Sequence, residues 1–284
     1  MKRIIYSQNR VLPFEAIYGV PMIILWIVTF LFCIILIDAK LLTKRVRFGI
    51  YALNIVSAGI LLGGIPNAVV PIQEVIITIG LRGDFGYLLP AIIVLSVLLI
   101  SSVFVGRIFC GFACPLGALQ EIISGINFKS NLKSHKQVKY RIDVFSPLPS
   151  IIRWIFLGVI ILLAFLGVIL LPLFNPLSGF AVIKRQFELA VIIPFISLIF
   201  VSFASIFLYR PWCRFICPFG AGSSLCGRYT RKKYRRTENC TNCGACEEIC
   251  PTQEAGTDSK KGECYYCNRC IEICPHDAIT LNLG

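Results

Sequence analysis

The sequence predicts a mainly α-helical chain in two parts: a polytopic membrane domain of about five transmembrane helices, then a small cysteine-rich C-terminal domain. Three observations predict it. Of 284 residues, 56% are hydrophobic and only 15% charged, where soluble domains run at roughly 45–50% and about 25%. The apolar residues gather in runs close to the roughly 20 residues that a bilayer-crossing helix needs, and mean hydropathy is +0.77. Of the 14 cysteines, eight fall in two copies of one short spacing near the end of the chain.

Taken in order, the runs predict spans over 16–38, 48–64, 87–109, 151–174 and 189–209. Pro90 lies near the start of the third, where a proline is tolerated, and Pro194 inside the fifth, where it kinks a helix. The stretch 66–81 is apolar but carries Glu74 and two prolines, which suits an interfacial or re-entrant piece better than a full span. No cleavable signal is expected, because residues 1–10 are polar and basic and the first apolar run lacks a small-residue cleavage site. The domains are then 1–226 (helical membrane domain), 227–239 (polybasic linker) and 240–284 (C-terminal domain).

The net charge of +13 is concentrated between spans. Four basic residues lie in 40–47, seven in 107–153 and eight in 210–236, while the alternate loops hold Arg82, and Lys184 with Arg185. By the positive-inside rule the richer loops and the C-terminal domain face the cytoplasm of a multi-pass protein of the cell (inner) membrane. Five spans would then put the N-terminus outside, against which Lys2, Arg3 and Arg10 argue. The run Arg228, Arg231, Lys232, Lys233, Arg235 and Arg236 reads as an anchor on anionic membrane lipid, at about 1 kcal/mol per basic residue. A nucleic-acid partner is not expected.

The C-terminal repeat carries the chemistry. Cys240, Cys243, Cys246, Cys250 and Pro251 form one C-x2-C-x2-C-x3-C-P run; Cys264, Cys267, Cys270, Cys274 and Pro275 form the other. This is the bacterial ferredoxin run, in which three close cysteines wrap one cubane cluster and the fourth turns to the other cluster. The assignment is Cys240, Cys243, Cys246 and Cys274 for cluster 1, and Cys264, Cys267, Cys270 and Cys250 for cluster 2. A zinc site calls for neither the third cysteine, nor the trailing Cys-Pro, nor the doubled copy. The C-terminal domain is thus a bacterial-type 2[4Fe–4S] ferredoxin domain, with no open coordination position for substrate.

A second repeat sits at two membrane exits: Arg107, Cys110, Cys114, Pro115, Gly117 and Ala118 after the third span, and Arg210, Cys213, Cys217, Pro218, Gly220 and Ala221 after the fifth. The match makes the membrane domain an internal duplication, with spans two and three echoed by four and five. Proline suits the first position of a helix, so Cys114 and Cys217 should sit at helix N-termini. There the dipole and Arg107, Arg210 or Arg214 would lower a thiol pKa. Three readings stand: Cys110, Cys114, Cys213 and Cys217 together hold a further iron–sulfur centre, or are redox thiols, or are small buried residues. Spacing does not choose between metal and dithiol.

Of the other residues, His135 and His276 are the two histidines, and neither lies in a span, which disfavours a membrane haem. Glu74 and Asp84 read as interfacial side chains, with Glu74 a candidate for proton traffic near a quinol. Cys33 reads as a packing residue, Cys226 matches no spacing, and Trp26, Trp154 and Trp212 fit interface or core positions.

On these motifs, from about residue 47 to 276, the chain resembles the membrane-bound polyferredoxins of the NapH and NosR type. The resemblance implies several spans, two C-x3-C-P motifs at the membrane boundary and a terminal pair of [4Fe–4S] motifs. It also implies electron flow between a quinol pool or cytoplasmic donor and a redox partner protein. The first run, 16–38, has no place in that plan. The expected protein is an electron carrier rather than a stand-alone enzyme. Two alternatives remain: a metal-ion or disulfide reductase that uses the C-x3-C-P cysteines, and a redox sensor.

Overall fold

The computed structural model describes residues 24, 27–37, 41–80, 88–126, 142, 144–183 and 189–283. Residues 16–23, 25 and 38 and Trp26 of the first expected span lie outside them, as do Asp84 and His135. The described chain is mainly helical. Helix α1 (Ile27–Ile37) precedes α2 (Lys44–Asn54), which continues into a π-helical segment over Ile55–Leu61. Then come α3 (Val69–Gly80), α4 (Leu89–Val105), α5 (Pro115–Ile126), α6 (Leu148–Phe165), the single turn α7 (Leu171–Phe174), a 3-10 segment (Pro176–Ile183), α8 (Leu189–Phe207) and α9 (Pro218–Arg228).

Among the described residues one helix, α6, is long and apolar enough to cross a membrane; the apolar stretches of α1, α3, α4 and α8 run to 10–17 residues. The expected spans are therefore shortened by identifiable breakers. Gly106, at φ +66, ends α4 before residue 109. Gly167, at φ +80, separates α6 from α7 inside the expected fourth span. Pro194 lies within α8 as expected.

The helices leave much apolar surface uncovered. Ile93, Val97 and Ile100 of α4, Ile155, Leu162 and Phe165 of α6, and Ile196, Phe200 and Phe203 of α8 are all at least half exposed. Buried instead are charged side chains, with Arg107, Arg153 and Arg210 the largest fully enclosed residues. Apolar surface outside and charge inside is the reverse of a water-soluble packing.

The C-terminal part has two short strands, β1 (Lys232–Arg236) and β2 (Ile279–Leu283), antiparallel with Tyr234 opposite Leu281. The basic stretch 227–239, expected as a linker, thus contributes β1, and Tyr234 buries its ring between the cationic neighbours that dominated the composition. Between the strands lie α10 (Ala245–Ile249) and α11 (Arg269–Ile273). The repeat is visible in the backbone as well as in the cysteines. Left-handed residues recur at Asn242 and Tyr266, Gly244 and Asn268, and Gln253 and Asp277, so each cysteine loop takes the same path.

Candidate metal centres

Each C-x3-C-P motif folds as a π-helical turn closed by one bond across five residues. The Cys114 N–H donates to Phe109 O and the Cys217 N–H to Trp212 O, both at 2.9 Å. The turn puts the two cysteines of each motif on one side of the chain, and an extended residue follows: Cys114 at ψ 120° and Cys217 at ψ 117°. Pro115 and Pro218 then open α5 and α9. Cys217 caps α9 as expected, its Sγ accepting from the Gly220 N–H at 3.4 Å. The glycine and alanine of the motif have a steric cause. A Cβ on Gly220 would lie 2.8 Å from Cys213 O, and one on Gly117 would fall on Cys110 O. Ala118 and Ala221 are fully buried.

The two turns face each other. Cys110, Cys114, Cys213 and Cys217 line one small cavity together with Ala68, Val69, Leu177, Trp212 and Phe219. Gln120 Nε2 donates to Cys213 Sγ at 3.4 Å, and its Oε1 accepts from the Trp212 N–H at 3.1 Å. The expectation of acidified thiols does not hold. Burial, then repulsion from the other sulfurs, holds the Cys114 thiol well above its ordinary range, and Cys217 is pushed up to about 12. The Gly117 and Gly220 amides pull the other way without prevailing. Four thiolates this close need a cation to share; metal binding supplies one and releases the protons.

A shell of arginines surrounds this cavity. Arg107 and Arg153 both pair with Glu263, the latter at 2.5 Å. Arg210 pairs with Glu121 at 2.8 Å, and Arg269 with the other oxygen of that carboxylate. Four guanidiniums thus share two carboxylates. Buried charge is costly unless balanced, so the shell calls for negative charge nearby, and thiolates are the groups present to supply it. Burial alone would raise both carboxyls. Arg107 and Arg153 instead hold Glu263 below the ordinary range, while Arg269, Arg210 and the Tyr209 hydroxyl bring Glu121 down to about 2.

The arginines also tie the halves together. Arg210 of the second motif donates to Cys110 O at 2.7 Å and Gly111 O at 3.1 Å in the first. Arg107 of the first motif lies against Gly220 of the second. The guanidiniums of Arg107 and Arg210 each stand 4.4 Å from the ring centre of Tyr265. Arg153, from α6, donates to Cys213 O at 3.2 Å and Ser224 Oγ at 2.8 Å.

In the C-terminal domain, Cys240, Cys243, Cys246 and Cys274 line one small pocket, with His276 at its exposed edge. Cys250, Cys264, Cys267 and Cys270 line a second, wider one. Cys250 Sγ accepts from the Glu254 N–H and Cys274 Sγ from the Ala278 N–H, both at 3.3 Å. All fourteen cysteines are free. Among the described residues no group of three or more His, Cys, Asp and Glu side chains closes on a point fit for a single ion. Cys33 is buried in apolar packing and Cys226 is half-buried. Glu74 is half-buried on α3, Trp154 is exposed on α6, and Trp212 is buried beside the four-thiol cavity.

Sequence reasoning missed Gln120, Glu121, Arg153, Glu263 and Tyr265. A signal existed for one: Glu121 is the lone acid between residues 85 and 142, and a lone acid in an apolar stretch asks for a buried cation.

A family profile described as a 4Fe-4S binding domain matches twice, at residues 87–133 and 190–237, once over each C-x3-C-P repeat. A second, also described as a 4Fe-4S binding domain, matches residues 234–253 and 260–280. The chain is similar to the methylamine utilization ferredoxin-type protein MauN of Paracoccus denitrificans, at 27% identity over 56% of this chain and 53% of that protein. It is 31% identical to the putative electron transport protein YccM of Escherichia coli over 58% of this chain and 45% of YccM. It is 29% identical to the regulatory protein NosR of Stutzerimonas stutzeri over 58% of this chain and 23% of NosR. The chain thus spans about half the length of the first of these relatives. No solved structure matches it.

Proposed function

For this member of the NapH/NosR-type ferredoxin group, an iron–sulfur electron-transfer protein, we propose a place in the cell membrane and a relay through three centres. Cys240, Cys243, Cys246 and Cys274 would hold one [4Fe–4S] cluster, and Cys264, Cys267, Cys270 and Cys250 a second. Cys110, Cys114, Cys213 and Cys217 would hold a further iron–sulfur centre. Such clusters supply one-electron transfer without an open coordination position. The residues do the rest: the arginine shell balances thiolate charge, Gln120 donates to a ligand sulfur, and the buried walls exclude water.

One observation carries the third centre. The buried guanidiniums outnumber the buried carboxylates around the four thiols, and neither neutral packing cysteines nor neutral disulfides would balance them. The uncovered apolar faces of α4, α6 and α8 support a membrane setting with several spans, and the basic loops support placing the C-terminal domain on the cytoplasmic side. Residues 240–284 act as the ferredoxin unit, relaying electrons between a quinol pool or cytoplasmic donor and a redox partner protein.

The test is anaerobic iron and acid-labile sulfide quantitation with EPR, on the native protein and on a variant with Cys110, Cys114, Cys213 and Cys217 changed to Ser. About twelve irons in the native protein, falling to about eight with loss of one EPR species, is expected for three cubane centres. About eight in both would refute the third centre.

A further inference from the structure

We propose that Tyr265 is the positioning residue that couples the second ferredoxin cysteine set to the four-thiol cavity. The inference rests on the reading of that cavity as an iron–sulfur site. Tyr265 lies between Cys264 and Cys267 and is 2% exposed. Two guanidiniums stand over its ring, Arg107 from one C-x3-C-P repeat and Arg210 from the other. Its buried hydroxyl has no hydrogen-bond partner, so the ring face, not the hydroxyl, holds the contact; a buried cation–π arrangement of this kind is directional.

The backbone of Tyr265 makes a second approach. A Cβ on Gly111 would lie 2.5 Å from Tyr265 O, and Gly111 directly follows Cys110. Cys264 and Cys110, one from each set, are therefore each one peptide away from the same contact. Arg210 ties the two sides, since it stands over the ring while donating to the carbonyls of Cys110 and Gly111. At the equivalent position of the other motif, Arg214 donates to Pro251 O at 3.3 Å, next to Cys250 of the same ferredoxin set. Gly106, at φ +66, leaves room for the ring of Tyr266, which a Cβ would strike.

Both motifs thus meet the same cysteine set. The other set faces away: its pocket is lined by residues 236–279 alone, and Cys243 is exposed. The second set is the inner one and the first the outer. With both sites loaded, the Tyr265 contact would be the point where one electron passes between them, one site oxidised as the other is reduced, with no bond broken and no proton moved.

Y265L, Y265F and G111A test this, read by iron content, by the magnetic broadening between the two reduced centres in EPR, and by freeze-quench transfer rate between them. Y265F keeps the ring and should match the native protein. Y265L removes the ring and G111A forces the backbones apart. Each should keep its full iron while the broadening fades and the transfer rate falls below that of the native protein. Native broadening and rate in an iron-replete Y265L or G111A would overturn the proposal, as would equal loss in Y265F. A native protein with only about eight irons would fail the underlying reading instead, and the iron content tells that failure apart.

Discussion

Glu121 carries two guanidiniums and the Tyr209 hydroxyl, which donates to it at 2.6 Å. Removing one partner from a buried ion pair strands the other, at about 3–5 kcal/mol. E121Q should therefore lower stability by that order, measured by thermal melting of the detergent-solubilised protein, and an unchanged melting point would contradict the network. The pH dependence follows from the sign of the shift. A carboxyl held near 2 rather than at 4.5 contributes stability that is fully present above pH 4.5 and is lost as pH falls toward 2. E121Q should flatten that part of the acid-denaturation profile. A wild-type slope retained in E121Q would assign the acid sensitivity elsewhere.

At the scale of elements, the two π-helical turns depend on glycines that let a helix start press against a carbonyl. G117A and G220A must displace Cys110 O or Cys213 O, an overpacking cost of about 1–3 kcal/mol, and each should lose the EPR species assigned to the four-thiol site. G158A is the control: a Cβ there meets nothing within 4 Å, so it should leave that species unchanged. Retention of the signal in G117A and G220A would show that the turns tolerate the shift.

These elements also mark what was legible in the sequence. The two cysteine runs were readable because their spacing is local; all four cysteines of a run lie within a dozen positions. The facing of the two C-x3-C-P turns was foreseeable only as a matched pair. The shell was not readable, since Arg107 meets Glu263 across 156 positions and Arg153 meets it across 110. Span lengths were overestimated where hydropathy ran on through Gly106 and Gly167, because hydropathy does not register a change of backbone hand. The lowered thiol pKa failed for a different reason: a helix dipole acts on one sulfur, whereas burial and three neighbouring sulfurs act together.

For the whole molecule, the uncovered apolar faces predict behaviour in bulk. The protein should sediment with membranes, resist extraction by alkaline carbonate and be released by detergent; release by carbonate would contradict the membrane reading. The arrangement of arginines has a further consequence for biogenesis. Arg107 and Arg210 each serve the opposite repeat, and Arg107 and Arg153 both pair with Glu263, more than 100 positions further along the chain. The four-thiol site is therefore not electrically complete on a nascent chain that stops short of residue 263. An iron centre at those thiols, as proposed above, would be completed only once Glu263 has been made and has packed against Arg107 and Arg153, so that a copy truncated before residue 263 would carry the thiols without the finished shell.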